Sequence, residues 1–163
     1  MTLPPRAYPA ALLLTCLFAL ASALTAQYAF KLLPCILCLY QRVPFVLSAV
    51  LCAIALLPRM PAKGRMALLL LCAVALAANA GIATYHVGVE QHWWQGTTQC
   101  VGGGPVPSNA ADMLASLDAP PAPRCDQPAW RMFGISMAGY NIPFSLALAG
   151  FAAWAVHKLR EAA

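Results

Sequence analysis

Apolar residues in this chain come in long unbroken runs, with neither the alternation of a half-buried strand nor the one-sided stripe of a soluble helix. Four runs stand out, Ala10–Phe30, Val43–Pro58, Met66–Val87 and Ile135–Val156, and none contains Asp, Glu, Lys or Arg. A helix crossing a hydrocarbon layer about 30 Å thick takes roughly 20 residues. The second run reaches that length if the crossing starts near Leu39, which puts Arg42 at the interface, where its head group can snorkel. Pro44 lacks an N–H, so the regular helix should begin around Arg42 or Val43. Continuous runs favour helices over barrel strands. The predicted fold is therefore an all-α membrane protein, a four-helix transmembrane bundle. It forms a single domain over residues 1–163, with spans at about 10–30, 39–58, 66–87 and 135–156 and loops at about 31–38 and 88–134.

Composition excludes the main alternative. The chain has 163 residues, of which 61% are hydrophobic and 9% charged, whereas a soluble domain carries about 25% charged residues. The net charge of +5 does not suggest nucleic acid, because the charges sit between apolar runs and form no basic stripe. They report topology instead. Arg6, Arg59, Lys63, Arg65, Lys158 and Arg160 fall on one side with a single acid, Glu161. Lys31, Arg42, Arg124 and Arg131 fall on the other, with Glu90, Asp112, Asp118 and Asp126. The positive-inside rule predicts cytoplasmic termini and two outward loops. Arg6, the apolar Ala10–Leu20 and Ala21-Ser22-Ala23 also imitate a cleavable signal peptide, but the apolar run continues to Phe30 and favours a retained span.

The longer outward loop, 88–134, holds most of the polar sequence. Trp93 and Trp94 suit the aromatic belt where the third span leaves the membrane. Gly102-Gly103-Gly104-Pro105 lacks the following residues of a phosphate loop. Ser108 can cap a short helix, Asn109–Leu117, whose Met113, Leu114 and Leu117 would lie on a membrane surface. Ala119-Pro120-Pro121-Ala122-Pro123 should be extended and stiff.

Seven cysteines divide by depth. Cys16, Cys52 and Cys72 lie inside apolar spans, where a thiol behaves as a small packed hydrophobe. Cys35, Cys38, Cys100 and Cys125 all fall on the outward side, enough for two pairs in an oxidising compartment. Cys35-Ile36-Leu37-Cys38 is a C-x-x-C pair, close enough for a reversible bond, and a helix starting there would favour a thiolate. The motif alone also suits zinc or iron, with all four outward cysteines as ligands. Arg42, one helical turn after Cys38, would further favour a thiolate or an anionic acceptor. Cys100 and Cys125 bracket residues 101–124, and a bond between them would stabilise that loop by roughly 3–4 kcal/mol. The Gly- and Pro-rich loop has little core to protect, which suits an exchanging bond better than a permanent staple. Two pairs beside a membrane suggest a route for two electrons, from a soluble thiol through the loop pair to C-x-x-C by disulfide exchange. The final acceptor should be lipid-soluble, a quinone, with its ring near Cys38 and Arg42.

At these residues the chain resembles the bacterial disulfide-bond formation protein B family of quinone-linked oxidases. The matching stretch is Pro34-Cys35-Ile36-Leu37-Cys38-Leu39-Tyr40-Gln41-Arg42. Tyr85-His86, Trp93-Trp94, Gly96, Trp130, Phe133-Gly134-Ile135-Ser136-Met137 and Tyr140-Asn141 agree further, in the family's order. The resemblance implies that Cys100 forms a mixed disulfide with a periplasmic thioredoxin-like dithiol oxidase. Cys125 would be its mate and would bond transiently to Cys35. Cys38 would be the thiolate beside the quinone, ubiquinone or menaquinone, and Arg42 and His86 would contribute to its binding. It also implies a bacterial inner membrane with the redox cysteines on the periplasmic side. Gln41 departs from better-known members, which carry Glu there, and Met137-Ala138-Gly139-Tyr140 departs as well. His92 reads as ordinary loop. A vitamin K epoxide reductase type of enzyme would place its C-x-x-C late in the chain, not after the first span. A non-enzymatic assembly factor would hold all four outward cysteines as permanent disulfides.

Overall fold

A computed structural model describes residues 4–98, 100, 109 and 123–162. Helix α1 is Ala7–Tyr28, α2 is the short Ile36–Tyr40, α3 is Arg42–Ala55, α4 is Ala62–Glu90 and α5 is Met137–Glu161. Among the described residues four crossings are long and apolar enough for a membrane, α2 and α3 together making the second, Ile36–Ala55. Pro44 falls in the first turn of α3, where its missing N–H removes no intrahelical bond. The predicted surface helix at 109–117 lies outside the described residues apart from Asn109, as do Gly102–Gly104 and Pro120–Pro121.

Of the helix boundaries that differ from the sequence expectation, two bear on the site. α4 continues past Val87 to Glu90, because His86 and Glu90 are enclosed by protein instead of facing lipid. α5 starts at Met137, not Ile135, because Ile135 and Ser136 belong to a hairpin. Strand β1, Arg131–Met132, pairs antiparallel with β2, Ile135–Ser136. Phe133 (φ 51°) and Gly134 (φ 81°) both take the left-handed conformation that a tight two-residue turn requires. Ser136 then caps α5, its Oγ accepting from Gly139 N at 3.1 Å and satisfying a donor that the helix start leaves open.

The bundle does not close evenly. α4 packs along α5, α1 against α3 and α3 against α4, whereas α1 and α5 touch at few points. Leu12, Leu69, Leu76, Ala152 and Ala155 fill the middle, together with Cys16, Cys52 and Cys72, all fully buried. The outward faces are apolar too, with Leu14, Phe18, Val43 and Val74 between 61% and 69% exposed. Such a surface suits lipid, not water. At one end Arg65 donates to Ala55 O (3.1 Å) and Met60 O (3.4 Å), and Arg6 donates to Pro58 O (3.1 Å). The basic residues there cover the last carbonyl of α3, which the helix end leaves without a helical partner, and two carbonyls of the connection that follows. The cysteine pairs lie at the other end.

Candidate active site

Cys35 is the N-cap of α2, with its sulfur accepting from Cys38 N at 3.4 Å. The two intervening residues bring Cys38 Sγ to 3.0 Å from Cys35 Sγ, an unbonded dithiol at hydrogen-bonding distance. His86 Nε2 approaches Cys35 Sγ from α4 at 3.5 Å. These donors hold the Cys35 thiol below its ordinary value, down to about 4. The hydrogen bond from Cys38 does most, burial opposes it, and His86 adds to the lowering.

The loop pair meets this dithiol. Cys100 and Cys125 form a disulfide with Cα atoms 4.8 Å apart, tied also by Cys125 N donating to Cys100 O at 3.0 Å. Cys35, Leu37, Val89, Cys100 and Cys125 form one buried cluster with Cys38 packed against it. Gly96 makes this packing possible, since a Cβ there would lie 2.8 Å from Cys100 Cβ and 3.1 Å from Val89 Cγ1. The bond between Cys100 and Cys125 also removes two of the thiolates that a four-cysteine metal site would need.

A chain of polar side chains reaches the site through the bundle. Asn79 Nδ2 donates to Ser145 Oγ (2.9 Å), and the Ser145 hydroxyl donates to Asn141 Oδ1 (3.0 Å). Asn141 Nδ2 donates to Gln41 Oε1 (2.6 Å), and Gln41 Nε2 donates to His86 Nδ1 (2.8 Å). Because Nδ1 accepts, the hydrogen of the neutral ring sits on Nε2, facing Cys35 Sγ and Glu90 Oε1, the latter at 3.7 Å. This arrangement explains the departure at Gln41. A carboxylate there could only accept from Nδ1 and would impose the opposite tautomer. The sequence carried no signal for this chain, since Asn79 and Ser145 look like isolated polar residues in apolar runs.

A cavity of about 560 Å³ occupies the gap between α1 and α5, a size typical of small-molecule sites. Its walls are mostly apolar, Phe18, Ala23, Phe45 and Phe144 among them, with Cys38, Gln41, Arg42, His86 and Asn141 as polar exceptions. Arg42 is steadied by its Nη1 donating to Gln27 Oε1 at 2.7 Å. A second cavity of about 300 Å³ lies on the other side of Cys38 and His86 and includes Cys35, Glu90, Lys31 and Arg124. Cys38 and His86 thus line both cavities. Of the six sequence-predicted site residues, all are at this end of the bundle, whereas His92 sits in the turn after α4 with φ 59°.

Residues 5–155 match the family described as Disulfide bond formation protein DsbB. The chain is 30% identical over 155 residues to Disulfide bond formation protein B of Xanthomonas axonopodis pv. citri, covering 91% of this chain and 88% of that one. The protein of the same name in Xanthomonas campestris pv. campestris is 30% identical over 154 residues, covering 90% and 87%. An uncharacterized protein of Rickettsia prowazekii is 28% identical over 134 residues, covering 81% and 76%. No solved structure matches the chain.

Proposed function

The chain belongs to the Disulfide bond formation protein DsbB family, and from that premise we propose that it reoxidises a periplasmic thioredoxin-like dithiol oxidase and passes two electrons to a membrane quinone. The observation that carries this reading is the position of the Cys35–Cys38 dithiol, packed against the loop disulfide on one side and lining the 560 Å³ cavity on the other. A thiolate of the reduced partner attacks Cys100 Sγ and displaces Cys125 as a thiolate. The partner's second thiol then resolves the mixed disulfide, leaving Cys100 and Cys125 reduced. Cys125 in turn attacks Cys35 of an oxidised Cys35–Cys38 pair, and Cys100 completes the exchange. The result is an oxidised loop and a reduced C-x-x-C, the redox state described above.

The 560 Å³ cavity supports the choice of acceptor, because a flat, apolar ring with a few polar oxygens matches its walls. A quinone, ubiquinone or menaquinone, supplies there an acceptor of two electrons and two protons. Cys38 is the sulfur on that wall, Arg42 brings positive charge to it, Asn141 Nδ2 has a second N–H to donate, and His86 contributes its ring to the lining. The gap between α1 and α5 gives a lipid-dissolved molecule lateral access. The basic end of the bundle supports an orientation with both termini in the cytoplasm of a bacterial inner membrane and the four cysteines in the periplasm.

Replacing Cys38 by Ser tests the route. Partner-dependent quinone reduction should disappear, while the Cys100–Cys125 bond should still exchange with the partner and trap a mixed disulfide. Turnover at the wild-type rate would overturn the assignment. A structural assembly factor predicts no quinone reduction in either protein.

A further inference from the structure

Glu90 is the buried group that the electron route leaves without a task. Its side chain is 3% exposed, and its Oε2 has no hydrogen-bond partner among the described residues. A buried carboxylate with an open oxygen is costly unless function retains it. Its other oxygen, Oε1, lies 3.7 Å from His86 Nε2, the same nitrogen that stands 3.5 Å from Cys35 Sγ. His86 therefore bridges a thiol and a carboxylate, and the Gln41 amide fixes which nitrogen does so.

We propose that Glu90, placed by His86 beside Cys35, is the proton acceptor of the Cys35–Cys38 dithiol. Cys35 and Glu90 both line the 300 Å³ cavity, and the thiol proton passes through water there to the Glu90 carboxylate, while His86 Nε2 keeps its hydrogen and faces both groups. The products are a Cys35 thiolate, a neutral imidazole and a neutral carboxylic acid. No electrons move in this step, and charge is conserved. The 300 Å³ cavity that Glu90 lines is roomy enough to admit water, which gives the carboxyl proton an exit. The charged and titratable groups around it are His86 on its own helix, Cys35 and Cys38 on α2, Lys31 before α2, and Arg124 beside the disulfide. Arg124 is engaged by Asp126 through bonds of 2.9 and 2.6 Å.

The proposal rests on the C-x-x-C pair being the redox dithiol, and its deciding spectroscopic test needs neither quinone nor partner. The quinone-depleted full chain is reduced with dithiothreitol, and infrared difference spectra are taken between reduced and oxidised states. A carboxylic acid C=O band should appear on reduction, shift down in D₂O, vanish in Glu90→Gln and persist at a shifted position in Glu90→Asp. Turnover of Glu90→Gln with partner and quinone should fall by roughly 100-fold or more, the range for loss of a general acid–base group. Identical spectra in wild type and Glu90→Gln, or no band in wild type, would overturn the proposal. Should Glu90→Gln fail to fold, the wild-type band and its position in Glu90→Asp decide. A band that tracks Glu90 in a protein unable to reduce quinone would sink the proposed function and leave Glu90 as the proton acceptor.

Discussion

At the scale of single residues, the chemistry depends on which sulfur gathers donors. Cys35 receives Cys38 N–H, the Cys38 thiol and His86, and together these draw it to about 4. A lowered value means that the thiolate persists as pH falls below the ordinary thiol range and is lost only as pH drops through the lowered value. In the reduced, quinone-depleted protein, Cys35 should therefore alkylate readily at about pH 6, where an ordinary thiol is mostly protonated. Cys38→Ala removes the largest cause and should move the alkylation profile up, toward the ordinary value of about 8.5. Coincident rate–pH profiles for the two proteins, followed with iodoacetamide, would remove the hydrogen bond as the cause. Gln41 also acts at this scale. One amide in place of an acid decides which histidine nitrogen carries the hydrogen, and so which nitrogen faces the sulfur.

At the scale of elements, the site depends on how helices begin. α2 starts at the redox cysteine itself, so the first C-x-x-C sulfur is also the helix cap. α5 starts from a hairpin whose turn places Phe133 and Gly134 at positive φ, and its first turns carry Met137, Ala138 and Asn141 to the 560 Å³ cavity. A Cβ in the left-handed conformation costs about 1–2 kcal/mol, so Gly134→Ala should lower the thermal midpoint in detergent by several degrees. Gly134→Asn should lower it less, because Asn tolerates that conformation. An unchanged midpoint for the alanine variant would mean that the turn does not hold the start of α5 in place.

At the scale of the whole molecule, the uneven closure of the bundle matters most. α1 leans on α3 and barely meets α5, and the space left between them is the cavity beside Cys38 and Arg42. Filling it should separate the two half-reactions. Ala23→Trp adds bulk to the α1 wall, and overpacking of this kind costs about 1–3 kcal/mol. The apparent KM for quinone should rise roughly tenfold or more, tenfold corresponding to about 1.4 kcal/mol. Exchange between the partner and Cys100–Cys125, read by trapping the mixed disulfide, should keep its rate. An equal loss in both half-reactions would mean that the cavity serves the fold instead of the acceptor.

The sequence by itself determined the four crossings, because an unbroken apolar run long enough to span hydrocarbon leaves the backbone little choice but helix. It also determined the class of chemistry, since the C-x-x-C spacing and the second outward pair are properties of the chain. The start of α3 near Arg42 was legible from Pro44 for the same local reason. Only the tertiary structure decided what surrounds those sulfurs. Asn79 and His86 come from α4, Asn141 and Ser145 from α5 and Gln41 from the junction of α2 and α3, and no periodicity along one helix records a hydrogen bond to another. Glu90 read as one loop charge among several until the fold buried it against His86. Its open oxygen is a consequence of packing in three dimensions, which a linear pattern of apolar and polar residues does not encode.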